Sequence, residues 1–267
     1  MRLIAIASMT YEEVILDKHG LIGTVILNRA EKHNAISRRM SGELIECLDA
    51  LEADDDIRVI VLTGAGEKAF CAGADMAQAA LGHDAPSTDG EMFAGGDRDW
   101  AAQAVVRLAK VRKPLIGAIN GYAYGGGAVF ATACDIRVCS ENAAFRFVGA
   151  SYGLVVGASR LPAIVGPAIA KELIFTARTV DAAEALRIGL ANHVVPLADL
   201  RDVVGEMARR IAEQSQTAVM ASKEVIDLAT LEVDAARREF DWNLELRKSD
   251  EHRQRFRAAA ERVVNRD

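Results

Sequence analysis

Apolar and polar positions along this chain fall into two periods, near 2 and near 3.6, that alternate until about residue 200. Residues 14–17 and 23–28 (Gly-Thr-Val-Ile-Leu-Asn) are short aliphatic and β-branched runs around Lys18-His19-Gly20, and predict an opening β-hairpin. Ser37 then precedes Met40, Leu44, Leu48 and Leu51 at helical spacing. A serine hydroxyl there can accept an unpaired N–H of the first turn, so Ser37 is the predicted N-cap of a helix running to Ala53. Asp54-Asp55-Asp56 ends that helix, and Val59-Ile60-Val61-Leu62 follows as a wholly apolar run, the mark of a strand buried on both faces. The cycle repeats. An amphipathic helix over 100–111 is broken by Pro114, a buried strand covers 115–119, a helix of small residues covers 125–133, and another strand covers 135–138. Strand, glycine turn, helix and strand in succession predict a layered α/β arrangement with parallel pairing.

From 199 to 264 only helical periodicity remains. Two regions follow: a core over 1–200 and a helical C-terminal region over 201–267. Val233, Phe240, Leu244, Phe256 and Val263 form a narrow apolar stripe among many Arg and Glu residues. Such a stripe packs on its own core or on a partner subunit. Residues 82–99, with Gly95-Gly96-Asp97, read as a loop of the kind that lids a site.

Composition narrows the function classes. A net charge of −6 weighs against nucleic acid as the main partner. No run of about eighteen apolar residues occurs, so no membrane span is expected and the predicted location is the cytoplasm. Cys47, Cys71, Cys134 and Cys139 form no Cys-x-x-Cys pair and read as reduced, buried thiols. No metal-ligand signature, P-loop lysine or Gly-x-Ser-x-Gly elbow is present, and no metal or separate cofactor is expected. Thr63-Gly64-Ala65-Gly66-Glu67-Lys68-Ala69 matches the dinucleotide fingerprint in form, but that motif needs a helix to open at once. Phe70-Cys71-Ala72-Gly73-Ala74 carries no helical face.

Two small-residue turns remain, each directly after an apolar run: Ala72-Gly73-Ala74 and Gly125-Gly126-Gly127. One reading is an oxyanion hole, two N–H groups converging on a thioester or carboxyl oxygen, each donor contributing about 3–4 kcal/mol in a dry site. The other is that the glycines only permit close helix–strand packing.

The two segments Phe70-Cys71-Ala72-Gly73-Ala74-Asp75-Met76 and Gly121-Tyr122-Ala123-Tyr124-Gly125-Gly126-Gly127-Ala128-Val129, in this order, resemble the signature of the crotonase superfamily, the enoyl-CoA hydratase/isomerase family. Leu27-Asn28-Arg29-Ala30-Glu31-Lys32-His33-Asn34-Ala35 is similar to that family's first CoA-contacting loop, and Lys113-Pro114 to Gly121, Ala133-Cys134-Asp135-Ile136-Arg137 and Ala182-Ala183-Glu184 to Asn192 match as well. The likeness spans about residues 12 to 265. It implies a spiral of ββα turns, a C-terminal helical trimerisation region, a homotrimer or hexamer, and an acyl-CoA thioester ligand, with coenzyme A arriving as part of the substrate. Carried over, the oxyanion donors are the N–H groups of Ala74 and Gly126. Lys32, Ala35, Ala72 and Met76 line CoA, and Asp75 is structural.

The same resemblance exposes a departure. Hydratases of the family activate and deliver one water with two glutamates, whose positions here hold Val129 and Gly149. A third acidic position, used by dienoyl-CoA isomerases, aryl-CoA dehalogenases and naphthoate synthases, holds Gly157. Val129 with Gly149 resembles naphthoate synthases, some of which place bicarbonate in the glycine's space. Replacement groups are sought in Tyr122, Tyr124, Ser151 and Tyr152, and in the loop residues His83, Asp84, Glu91, Asp97 and Asp99. Arg146 is a further candidate, as partner of a substrate carboxylate, whereas His193 reads as structural. The expected function is oxyanion or enolate stabilisation on an acyl-CoA, nominally hydratase or isomerase. The alternatives are a non-catalytic acyl-CoA-binding protein and a CoA-thioester hydrolase or decarboxylase.

Overall fold

A computed structural model describes residues 11–76 and 100–264. The proposed lid over 82–99, with its histidine and carboxylates, lies outside the described residues.

Strands β1 (Val14–His19) and β2 (Ile22–Leu27) form the opening antiparallel hairpin, Val14 facing Leu27. Ser37 caps α1 (Arg38–Ala53), its Oγ accepting the Met40 N–H at 2.9 Å. The helix's other end is closed by a buried lysine: Lys113 Nζ donates to the Leu51 and Asp54 carbonyls at 2.7 and 2.6 Å. A cation there answers the partial negative charge of a helix C-terminus.

Then the chain alternates between two sheets. Strands β3 (Val59–Gly64), β5 (Leu115–Ile119) and β7 (Ile136–Ser140) enter the large sheet, each parallel to its neighbours. Each is followed at once by a short strand of a second sheet: β4 (Ala69–Cys71), β6 (Tyr122–Tyr124) and β8 (Ala144–Arg146). Helices α2 (Trp100–Ala109) and α3 (Gly126–Ala133) close two of these ββα turns. With β9 (Val180–Asp181) and β10 (His193–Val195) the sheet orders are β1-β2-β3-β5-β7-β10 and β4-β6-β8-β9. The spiral of ββα turns is therefore observed. Several boundaries shift by one or two residues, among them the second amphipathic helix, which ends at Ala109, and β7, which begins at Ile136 and runs on to Ser140.

The turn between β3 and β4 shows why the dinucleotide fingerprint does not apply. Its carbonyls are taken by two buried asparagines. Asn34 Nδ2 donates to Ala65 and Ala69, and Asn120 Nδ2 donates to Gly66. The chain continues into β4, so no helix N-terminus faces that turn.

Helices α4 (Leu161–Val165), α5 (Pro167–Thr176) and α6 (Ala182–Arg187) complete the first region. The main core joins both sheets to α1, α2 and α3. A second cluster lies on the opposite face of the large sheet, where Leu200, Val204, Ala208 and Ala212 of α7 (Leu200–Ala212) pack on Val59, Val61, Ile116, Ala118 and Val138. Residues 201–212, which the sequence pattern assigns to the C-terminal region, thus form a layer of the core. Beyond them run α8 (Gln216–Thr230), α9 (Val233–Leu246) and α10 (Asp250–Val264). Helix α8 buries none of its residues and leaves Val225, Ile226 and Leu228 at 64%, 60% and 75% exposure. No helix among the described residues is long and apolar enough to cross a membrane.

Candidate active site

After β4 the chain lies alongside the loop before α1. Ala72 N–H donates to the His33 carbonyl at 3.0 Å, Ile36 N–H to Gly73 at 2.8 Å, and Asp75 N–H to Ile36 at 2.9 Å. Residues Gly73 and Asp75 therefore make the bonds, and Ala74, bridged in parallel to Ile36, has its own N–H turned to the other side. Across that side stands the start of α3. The first bond of this helix runs from Val129 N–H to the Gly125 carbonyl at 3.2 Å, so the Gly126 N–H lies ahead of the helical ladder.

Close approach brings the two turns together. Gly73 has φ +91°, and a methyl there would stand 2.7 Å from the Tyr124 carbonyl oxygen and 3.1 Å from the Gly126 nitrogen. A methyl on Gly126 would lie 3.8 Å from the Ala74 nitrogen. The two predicted oxyanion donors are thus neighbours, Ala74 exposed and Gly126 half-buried. The packing reading of the glycines holds one residue later. A methyl at Gly127 would sit 2.0 Å from the Cys71 carbonyl oxygen, so that residue serves helix–strand contact. Neighbouring glycines of one triplet do different jobs.

The predicted CoA-lining residues fall on the same ribbon. Lys32 ends a short 3-10 turn and is exposed, Ala35 and Ala72 are half-buried on its two strands, and Met76 follows Asp75. One side chain ties the ribbon together. Arg29 Nη1 donates to the Ala35 carbonyl at 2.7 Å and to Asp75 Oδ2 at 3.0 Å, while its Nε lies 3.2 Å from Glu13 Oε1. Asp75 is structural in this sense, as the resemblance implies.

Val129, Gly149 and Gly157 also converge. A methyl on Gly157 would stand 3.0 Å from Phe147 Cδ1 and 3.8 Å from Val129 Cγ2. At Gly149 it would meet Val156 Cβ and the Leu154 carbonyl oxygen, both at 2.8 Å. Val156 and the Leu154 carbonyl thus leave no space for a side chain at 149, and Phe147 and Val129 flank Gly157 with hydrocarbon.

The strap that carries Val156 and Gly157 is held from α9. Asn243 accepts the Val155 N–H at 2.9 Å and donates to the Val155 carbonyl at 2.7 Å. Glu239 accepts the N–H groups of Gly157 and Ser159 at 2.8 and 2.7 Å. Sequence reasoning missed these two residues. Their signal was their spacing of four, which puts both on one helix face beside the apolar stripe.

Among the replacement candidates, Tyr124 is half-buried and stacks on Tyr122 with ring centroids 4.9 Å apart, and Tyr122 meets His33 at 5.6 Å. Burial, with Tyr124 adding to it, pushes the Tyr122 hydroxyl above the ordinary tyrosine range, away from use as a base at neutral pH. Ser151 is exposed on the short turn Gly149–Tyr152, and the Tyr152 carbonyl lies 2.7 Å from His252 Nδ1 on α10. Arg146 Nε donates to the Ala177 carbonyl at 2.6 Å, securing a left-handed helix end. Cys71, next to the donor turn, is fully buried, which pushes its thiol up to about 12 and leaves no thiolate nucleophile. Among the described residues no group of three or more His, Cys, Asp and Glu side chains could hold a metal ion.

The geometry of donor turns on a ββα spiral accords with comparison to known proteins. The family model described as enoyl-CoA hydratase/isomerase matches residues 17–264. The chain belongs to the enoyl-CoA hydratase/isomerase family. A carnitinyl-CoA dehydratase of Proteus mirabilis is 42% identical over 213 residues, 79% of this chain and 78% of that protein. A short-chain-enoyl-CoA hydratase of Clostridium acetobutylicum is 37% identical over 222 residues, 82% of each chain. Among solved structures, a carnitinyl-CoA hydratase from Mycobacterium avium superposes with a TM-score of 0.83 at 29% identity, covering 95% of this chain and 97% of that one.

Proposed function

We propose that this protein binds an acyl-CoA thioester, polarises its carbonyl with the N–H groups of Ala74 and Gly126, and stabilises the oxyanion or enolate that forms there. The observation that carries this reading is the adjacency of those two donors, neither of which pairs with main chain among the described residues, at the junction of the Gly73 and Gly125–Gly127 turns. The names of the relatives, acyl-CoA hydratases and dehydratases, support the ligand class. CoA lies along Lys32, Ala35, Ala72 and Met76.

Electrostatic stabilisation is only part of hydration. Addition of water across a double bond also needs a positioned base and acid, each contributing roughly 10²–10⁴-fold. The wall of Val129, Phe147, Val156 and Gly157 supplies neither. The reaction is therefore one that runs on the oxyanion hole without the paired glutamates. A second reading, binding without turnover, is favoured by the same wall, which suits a saturated acyl chain.

Two measurements test this. Saturated acyl-CoA raises the melting temperature in a concentration-dependent way, and no shift at millimolar ligand refutes the ligand class. Crotonyl-CoA hydrates orders of magnitude more slowly than with a two-glutamate relative measured alongside, and equal turnover refutes the emphasis on the wall. Assembly into a homotrimer or hexamer belongs to the same proposal. The exposed Val225, Ile226 and Leu228 of α8 form the face available for it, and sedimentation of a Leu228→Glu variant checks it.

A further inference from the structure

We infer that Arg29 is a positioning residue for the oxyanion donor of Ala74, acting through Asp75 and the Ala35 carbonyl. This deepens the reading above and rests on it.

The Ala74 N–H belongs to the peptide unit that begins at Gly73, a residue whose φ of +91° shows a backbone free of side-chain restraint. Such a peptide can rotate unless both of its sides are held. Its carbonyl is held by the Ile36 N–H, and the next residue, Asp75, is held by the Ile36 carbonyl. Both bonds depend on the two strands of the ribbon staying in register. Among the described residues three backbone bonds join them near the donor: Ala72 to His33, Ile36 to Gly73 and Asp75 to Ile36.

Arg29 adds the cross-brace. One nitrogen, Nη1, reaches the Ala35 carbonyl on one strand and the Asp75 carboxylate on the other, immediately beside Ile36 and Ala74 respectively. Its backbone N–H is held by Asn34 Oδ1 at 3.0 Å, so the stem does not drift. On its far side Nε faces Glu13, whose carboxylate also accepts the Met40 N–H at 3.0 Å and the Ser37 hydroxyl at the start of α1. The guanidinium thus relates the donor turn to the N-terminus of α1 and to the entry of β1. All three ionic side chains are shielded, at 11%, 21% and 13% exposure for Arg29, Glu13 and Asp75, where a charge pair is little screened by salt. A lysine cannot replace this fork: its single ammonium lacks the planar spread of donors that meets three oxygens in fixed directions.

The test separates the thioester carbonyl from the rest of CoA. Acyl-CoA labelled with 13C at the carbonyl is bound to the full-length protein and its carbonyl stretch is read by infrared difference spectroscopy. Dissociation constants are measured in parallel for the thioester and for the matching S-alkyl-CoA thioether, which has no carbonyl oxygen. In the wild type the stretch moves to lower frequency and the thioester binds more tightly. In Arg29→Met most of that frequency shift disappears and the preference for thioester over thioether falls by about tenfold, the equivalent of one charge-assisted hydrogen bond, beyond whatever common loss both ligands suffer from the loosened ribbon. Arg29→Lys lies between the two. Because Arg29→Met leaves two shielded carboxylates without their cation and can fail to fold, Asp75→Asn is the companion variant. It keeps the Arg29–Glu13 pair and gives a smaller loss in the same direction. A folded Arg29→Met or Asp75→Asn protein with the wild-type carbonyl shift overturns the role of Arg29 alone. Absence of any carbonyl shift in the wild type overturns the oxyanion reading, and this inference with it.

Discussion

The donor turns and the wall beside them are built from the same material and put it to opposite use. At Gly73 the missing Cβ is taken up by main chain, the Tyr124 carbonyl oxygen and the Gly126 nitrogen, which brings the N–H groups of Ala74 and Gly126 side by side. At Gly149 and Gly157 the missing Cβ is taken up by Val156, the Leu154 carbonyl and Phe147. The first region sets polar backbone beside an ion pair network. The second is closed largely by hydrocarbon. A glycine in an active-site sequence therefore says only that a side chain is absent. What its neighbours do with the volume decides the chemistry.

The largest test of this contrast is steric. Gly127→Val places a branched side chain against the Cys71 carbonyl, where even a methyl would come within 2.0 Å. Backbone cannot yield as a side-chain tip does, so a loss of about 3 kcal/mol or more is expected, read as a failure to fold or a sharply lowered melting temperature. Gly126→Pro removes one donor where proline is tolerated, at the first residue of a helix. The fold survives, any oxyanion-dependent turnover falls by about 10²–10³-fold, and affinity for the thioether analogue is retained.

On the wall, Val129→Glu with Gly149→Glu does not produce a hydratase, because the second carboxylate has no space beside Val156. Adding Val156→Gly removes the side-chain part of that clash, leaving the Leu154 carbonyl to shift, and crotonyl-CoA hydration then rises above the parent protein. Hydration by the double variant alone would show that Val156 does not fill the acid's place. Asn243→Ala removes both bonds to Val155 and costs about 1–2 kcal/mol in a urea melt, with a change in acyl-chain preference as the strap loosens. The smallest effect concerns Cys71. With its thiol pushed up to about 12 by burial, it stays protonated at pH 8 and resists iodoacetamide until the protein unfolds, as peptide mapping would show.

Much of the architecture was legible in the sequence because its signals are local. Ser37 announced α1, the apolar run 59–62 announced a central strand, and 115–119 matched β5 at both ends. The donor turns were legible as glycine and alanine clusters, though residues 125–127 alone could not reveal that Gly126 lies against Ile36 and the Ala74 nitrogen while Gly127 abuts Cys71. Three features were not legible, each for a stated reason. Helix α7 looks like the helices after it, and only the sheet it covers makes it part of the core. Arg146 found its partner at Ala177, 31 residues away. Glu239 and Asn243 act 80 to 88 residues from the strap they grip, and through its main chain, which leaves no pattern in the gripped segment.

That last property has a consequence for how the pocket can change over generations. Glu239 and Asn243 recognise the amides of Val155, Gly157 and Ser159, and those amides are the same whatever side chains the segment carries. Replacements at Leu154, Val156 or Ala158 leave those backbone bonds available while altering the side chains that the strap carries. The scaffold thus separates inheritance of shape from inheritance of chemistry: one helix preserves the strap's course, and single codon changes along it can retune which acyl group is accepted without first destabilising the protein.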